Sequence, residues 1–174
     1  MPLASLRARP CAHRLAVTLA LVAAAVLTGV AAPNPPAAAQ SMTPVLQREQ
    51  LTAPQIAAWF RSTPARVAAY RASVPVETLA QLFVEEGRAE GIAGDLAFAQ
   101  AVLETGNFGW PNGGQVRHTY NNFGGLGACD GGTCTVARFP TARIGVRANI
   151  HHLRAYADPT VTERDMTVML AEEY

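Results

Sequence analysis

The strongest chemical signal in the sequence is a single carboxylate, Glu104, at the end of an apolar stretch that a glycine then terminates. Residues 96–105 predict a helix whose last turn carries this acid and which Gly106 then caps. An acid there faces the negative end of the helix dipole, and Phe108 and Trp110 follow closely, so its charged form is expected to be disfavoured. A carboxylic acid that keeps its proton near neutral pH can act as a general acid. Glu104 is therefore the predicted catalytic residue.

Residues 107–140 differ from their surroundings because glycine is frequent and aliphatic side chains are few. This composition predicts a loop-rich lobe in which short extended pieces, such as residues 133–139, pair as a small hairpin. A polar lobe opposite Glu104 would form a cleft, which suits hydrolysis of a polar, extended polymer. Five side chains in or beside the lobe are the candidates for binding that substrate: Trp110, His118, Tyr120, Asn121 and Asn122.

Some polar residues of this lobe also have a structural interpretation. Asn121 and Asn122 can form side-chain-to-backbone turns instead of contacting substrate. Asp130 is the only other acid between Gly106 and Phe139, and its Asp-Gly-Gly context is typical of a turn. From the sequence we therefore assign Asp130 no catalytic role.

The helices that must position Glu104 are predicted from apolar spacing and from proline and glycine boundaries. Asp95 is the predicted cap of the helix that carries Glu104, which is apolar nearly all round and expected to be buried. The predicted helical segments lie between Thr52 and Pro64, at residues 76–90, at 96–105, between Pro140 and Asp158, and at 163–174. The chain is therefore predicted to be mainly α-helical.

The first forty residues have the pattern of a secretory leader. Arg7, Arg9 and Arg14 precede an uncharged run at residues 15–30, and the small residues 37–39 then offer a cleavage site. A membrane anchor is the alternative for a run of this length. The predicted organisation is a signal peptide at residues 1–39, a flexible linker at 40–50 and one catalytic domain at 51–174.

Composition and cysteine content limit the remaining possibilities. The chain has 174 residues and a net charge of +1, with no basic cluster of the kind that binds nucleic acid. Cys11 lies in the leader, so Cys129 and Cys134 are expected to form a disulfide after export. His151 and His152 are adjacent on a helix and point about 100° apart, so they cannot share one metal ion. No metal or cofactor is predicted.

Three stretches resemble a known family: LAFAQAVLETGNF at residues 96–108, NNFGGLGACD at 121–130 and FPTARIGVRANIHHLRAYAD at 139–158. They are similar to the glucosaminidase domain of secreted bacterial cell-wall hydrolases, of the mannosyl-glycoprotein endo-β-N-acetylglucosaminidase type. The resemblance implies a lysozyme-like α+β fold with a helical lobe and a small glycine-rich β-hairpin lobe. It also implies cleavage of the β-1,4 bond after N-acetylglucosamine in peptidoglycan, with Glu104 as the acid that protonates the glycosidic oxygen.

The sequence departs from this family in two ways. Many members carry a further Glu in the hairpin lobe that this chain lacks, so substrate assistance by the 2-acetamido group is an alternative, positioned by Tyr120 or Asn122. Family domains also continue for some tens of residues past the stretch around Tyr156, so the C-terminal part is expected to be missing.

The expected protein is a monomer, secreted to the cell wall or medium without stable membrane association, with glycan strands as its partner. A lytic transglycosylase using the same Glu, or an inactive cell-wall-binding module, are the alternatives.

Overall fold

The computed structural model describes residues 44–111, 114–131 and 134–167. The predicted leader at 1–39 and the last residues, 168–174, lie outside this part of the chain. The described residues contain helices α1 (Ala53–Arg61), α2 (Pro64–Ala69), α3 (Val76–Glu90), α4 (Gly94–Glu104) and α5 (Ala142–Ala157). Two short 3-10 helices also occur, at His118–Tyr120 and Glu163–Asp165. The prediction of a mainly α-helical chain is confirmed.

Helix α3 is the element around which the others pack, because α1, α4 and α5 all lie against it. Its buried side chains include Leu79 and Phe83, which have no exposed surface. The helix ends at Gly91, whose φ of 70° is the left-handed conformation that glycine adopts without strain. A Cβ atom on Gly94 would collide with the backbone oxygen of Phe83, so the start of α4 depends on glycine to approach α3 this closely.

Aromatic rings fill the core between these helices. Phe60 of α1, Phe83 of α3 and Phe98 of α4 are fully buried, and their rings meet edge to face. Phe108, which follows α4, joins the same cluster with its ring centroid 5.1 Å from that of Phe98. The core therefore fixes both α4 and the segment that leaves its C-terminal end.

Ion pairs join α3 to α5 on the outside of this core. Glu86 is 5% exposed and accepts hydrogen bonds from Arg143 at 2.7 Å and from Arg147 at 2.8 Å. Burial alone would raise the pKa of Glu86, but the hydrogen bonds from Arg147 and Arg143 outweigh it and hold the pKa below its ordinary value. The ionised carboxylate therefore joins the two helices through ion pairs.

Residues 44–50, which belong to the predicted linker, lie against the fold instead of apart from it. The backbone N–H of Ala93 donates to the oxygen of Val45 at 2.8 Å. Asp95 does not cap α4 as predicted but lies inside its first turn, where its buried carboxylate accepts the N–H groups of Gln50 and Leu51. The acid therefore ties the entering chain to the helix that carries Glu104.

Two predicted elements differ from the structure. Residues 134–139 are irregular, and no β-strand occurs in the described ranges, so the predicted hairpin is not confirmed. The helix predicted for residues 163–174 begins with a single 3-10 turn at Glu163–Asp165, and its remainder from 168 lies outside the described residues. Within the described ranges, no helix is both long and apolar enough to cross a membrane.

Candidate active site

Glu104 is the last residue of α4, at the negative end of the helix, as predicted. Its side chain is exposed, and the preceding Leu103 is 81% exposed. The buried apolar side chains of the helix are those of Ala97, Phe98, Ala101 and Val102. The side chain of Glu104 is therefore open to water on at least one side, because the end of α4 at Leu103 and Glu104 emerges from the protein interior.

The chain leaves α4 through an unusual left-handed turn. Gly106, Asn107, Phe108 and Trp110 all have φ between 42° and 66°, a region that bulky side chains rarely adopt. Gly106 adopts this conformation without strain, but each of the three other residues costs on the order of 1 kcal/mol, so the surrounding contacts must stabilise the turn. Strained backbone of this kind is frequent at functional sites, so the surface beside this turn is a candidate functional site.

Thr105 supplies much of that stabilisation. Its hydroxyl donates to the oxygen of Ala101 at 2.6 Å and accepts the N–H of Phe108 at 2.9 Å. Its carbonyl oxygen accepts the N–H of Trp110 at 2.8 Å. The turn therefore sends Phe108 into the aromatic core and returns Trp110 to the side of the helix end where Glu104 lies.

An open cleft of about 490 Å³ lies beside this helix end. Its volume falls within the range of about 300–1,000 Å³ that is usual for ligand sites. One wall comes from the glycine-rich segment that contains Gly124 and Gly125, and another from the turn that contains Cys129 and Asp130, the disulfide turn. The lining residues that carry the argument below are Glu104, Trp110, Gln115, Gly124, Gly125 and Asp130.

Trp110 forms a fixed apolar surface in this cleft. The residue is only 9% exposed, and its indole N–H donates to the backbone oxygen of Asn122 at 3.1 Å. Its ring also packs against Phe123, with centroids 5.8 Å apart. Because both contacts hold the indole in place, the cleft presents an aromatic surface beside the carboxylate of Glu104.

Asn121 and Asn122 use their side chains to hold the backbone of the glycine-rich segment. Asn122 has no exposed surface; its amide donates to the oxygens of Leu126 and Ala137 and accepts the N–H of Leu126, all at 2.9–3.0 Å. Asn121 donates to the oxygen of Phe139 at 3.0 Å. Neither residue lines the cleft. These are the side-chain-to-backbone bonds that the sequence left open as an alternative to substrate contact.

Two other predicted substrate-binding residues lie outside the cleft lining. Tyr120 is half-buried, and the guanidinium group of Arg138 lies 4.2 Å from the centre of its ring. His118 is exposed at the start of the 3-10 helix. Of the five predicted substrate-binding side chains, the structure brings Trp110 to Glu104.

The disulfide turn brings a second carboxylate to the cleft. Cys129 and Cys134 are joined, as predicted, with their Cα atoms 6.1 Å apart. Gln115 also stabilises this turn, because its side-chain amide donates to the backbone oxygen of Cys129 at 2.6 Å and accepts the N–H of Cys129 at 3.3 Å. Asp130 is exposed and lines the same cleft as Glu104. The adjacent Cys129, with its expected disulfide, was the sequence signal that Asp130 has a fixed position. The Asp-Gly-Gly context favoured interpreting Asp130 as a turn residue only, so its place in the cleft lining was not predicted.

The described residues contain no group of three His, Cys, Asp or Glu side chains placed to hold a metal ion. His151 lies 3.7 Å from a carboxylate oxygen of Glu90, whereas His152 packs its ring against Tyr156. Burial lowers the pKa of His152. The two histidines thus have different neighbours, as the helix geometry predicts.

Comparisons with known proteins give little guidance on function. A protein from Borreliella burgdorferi, described only as uncharacterized, is 37% identical over 82 residues, which are 47% of this chain and 39% of that protein. The chain thus spans about two-fifths of the length of that relative. No model of a known protein family matches the chain. No solved structure matches it either. Function must therefore be argued from the cleft.

Proposed function

We propose that this protein is a secreted peptidoglycan hydrolase of the endo-β-N-acetylglucosaminidase type, in which Glu104 is the general acid. The observation that carries the proposal is the placement of Glu104 at a helix end on the edge of an open cleft, beside the fixed indole of Trp110. A helical body and a glycine-rich segment on either side of such a cleft are also what a lysozyme-like arrangement requires. Secretion rests on the predicted leader.

In this proposal the glycan completes the environment of the acid. Glu104 faces water in the free protein, and a sugar chain in the cleft would displace that water. The apolar face of a sugar ring can pack against Trp110 while the carboxyl group of Glu104 donates its proton to the glycosidic oxygen. The departing sugar leaves an anomeric carbon with oxocarbenium-like character, which water must attack.

Asp130 is the proposed second carboxylate. It reaches the cleft from the disulfide turn, which the Cys129–Cys134 bond and the amide of Gln115 both hold. A glycosidase with two carboxylates uses the second as a base toward water or as a nucleophile. Tyr120 and Asn122, the predicted alternatives for positioning the 2-acetamido group, do not line the cleft. Asp130 is therefore the group that the geometry favours for the second step.

The decisive experiment compares wild-type protein with Glu104→Gln on purified cell walls. Clearing is expected to fall at least about a hundredfold in the variant while retention on the walls is unchanged, because only the proton donor is lost. Glu163→Gln is the matched control, since it removes an exposed acid outside the cleft. Equal clearing by wild type and Glu104→Gln would refute the role of Glu104. Binding without clearing by either protein would favour a wall-binding module.

Product analysis and a second variant separate the remaining mechanisms. Mass spectrometry of the released fragments should find reducing N-acetylglucosamine ends, whereas 1,6-anhydro ends would indicate a lytic transglycosylase. Asp130→Asn should reduce clearing without reducing retention if Asp130 serves the second step. Unchanged clearing in that variant would assign this step to the 2-acetamido group of the substrate.

A further inference from the structure

Asn149 is a buried polar residue whose side chain makes no hydrogen bond within the described part of the chain. It lies in α5 between core positions and has no exposed surface. Among the described residues, neither its side-chain oxygen nor its side-chain nitrogen has a hydrogen-bond partner. A buried carboxamide without partners destabilises the folded state, and an apolar side chain of similar size would avoid that penalty. Packing alone therefore does not explain an asparagine here.

The carboxamide of Asn149 lies directly behind one wall of the cleft. A Cβ atom on Gly124 would collide with Oδ1 of Asn149 and would lie 3.2 Å from its Cγ. Gly124 and Gly125 line the cleft together with Glu104. Gly125 has a φ of 68°, and no atom lies within 4 Å of the position its Cβ would take. One glycine residue thus separates the unpartnered amide from the cleft, and the next has open space beside it.

We propose that Asn149 is a positioning residue for the substrate: its carboxamide pairs with the Gly124–Gly125 backbone when a glycan fills the cleft. A carboxamide offers one acceptor and two N–H donors, so it can pair with either the N–H or the C=O of a peptide group. Because Gly124 already lies against the carboxamide, a small rotation of the Gly124–Gly125 peptide groups on sugar binding would be enough to bring one of them into hydrogen-bond distance of the side chain. The resulting hydrogen bond holds the wall in its substrate-bound position.

This proposal rests on the proposed glycan site and is tested by binding in the Glu104→Gln background, which retains the cleft without cleavage. The probe is chitotetraose, four linked N-acetylglucosamine units, and the measurement is isothermal titration calorimetry. Adding Asn149→Leu should weaken the affinity about fivefold, the effect of one hydrogen bond. The thermal midpoint of unfolding should stay equal or rise, because an unpaired amide has been removed from the interior.

A structural role for Asn149 would give a different pattern. Ile150→Val, at the neighbouring fully buried position, is the control: it should lower the thermal midpoint without changing the affinity. Asn149→Leu with unchanged affinity would overturn the proposal, whether the protein became more or less stable. In the cleaving enzyme, Asn149→Leu should raise KM with kcat nearly unchanged. Absence of binding in the Glu104→Gln parent would overturn the glycan site and this inference together.

Discussion

Replacing Asn122 with alanine is expected to destabilise the protein severely, because one buried amide holds three backbone groups. Its side chain donates to the oxygens of Leu126 and Ala137 and accepts the N–H of Leu126. Each bond contributes about 1 kcal/mol net, and the loss of the amide leaves the N–H of Leu126 and the oxygen of Ala137 without this partner, whereas the oxygen of Leu126 keeps the N–H of Ala137. The free energy of unfolding should therefore fall by about 3 kcal/mol.

Urea unfolding followed by circular dichroism measures this loss. Gln81→Ala is the matched control, because Gln81 is exposed and its side chain makes one hydrogen bond, to Glu85. That variant should lose no more than about 0.5 kcal/mol. A loss below about 1 kcal/mol in Asn122→Ala, combined with weaker binding of chitotetraose, would refute the structural role and restore Asn122 as a substrate contact.

Three further predictions concern ion pairs, the disulfide and helix packing. Hydrogen bonds from Arg147 and Arg143 outweigh burial and hold the pKa of Glu86 in the folded state below the ordinary value of 4.5. Their stabilisation is therefore present above pH 4.5 and is lost as the pH falls through the folded-state pKa. Glu86→Gln should flatten this acid limb in urea unfolding curves; an unchanged limb would contradict the assignment. Thiol labelling of the protein under non-reducing conditions should find no free Cys129 or Cys134, and reduction should lower the free energy of unfolding by about 2 kcal/mol. Gly94→Ala should lower the free energy of unfolding by about 2–3 kcal/mol, because the added Cβ would collide with the backbone of Phe83. Gly114→Ala should be nearly neutral, because the nearest atom to its Cβ would lie at 3.5 Å. Equal effects of the two substitutions would contradict the close packing of α3 and α4.

Helix boundaries were predictable where local residues set them. Helix α3 spans Val76–Glu90, as predicted, because Pro75 precedes it, Gly91 ends it and the apolar residues between them recur at helical spacing. The glycine-rich segment was not predictable in the same way. It lacks the alternating apolar residues of a hairpin, and Asn122 fixes it through backbone groups up to fifteen residues away. Such a bond leaves no periodic trace in the sequence.

The surroundings of Glu104 show why the location of the acid was predictable and its exposure was not. The apolar run and Gly106 place the acid at the end of α4, which is a local property. Its exposure depends on where the chain goes next, and the left-handed turn sends Phe108 into the core while Trp110 lines the cleft. Closeness in sequence therefore overstated the apolar environment of the carboxyl group. Under the proposed function, the glycan itself would supply the dry environment that a general acid needs, so truncated substrates that fail to cover the cleft should be cleaved poorly even when they bind.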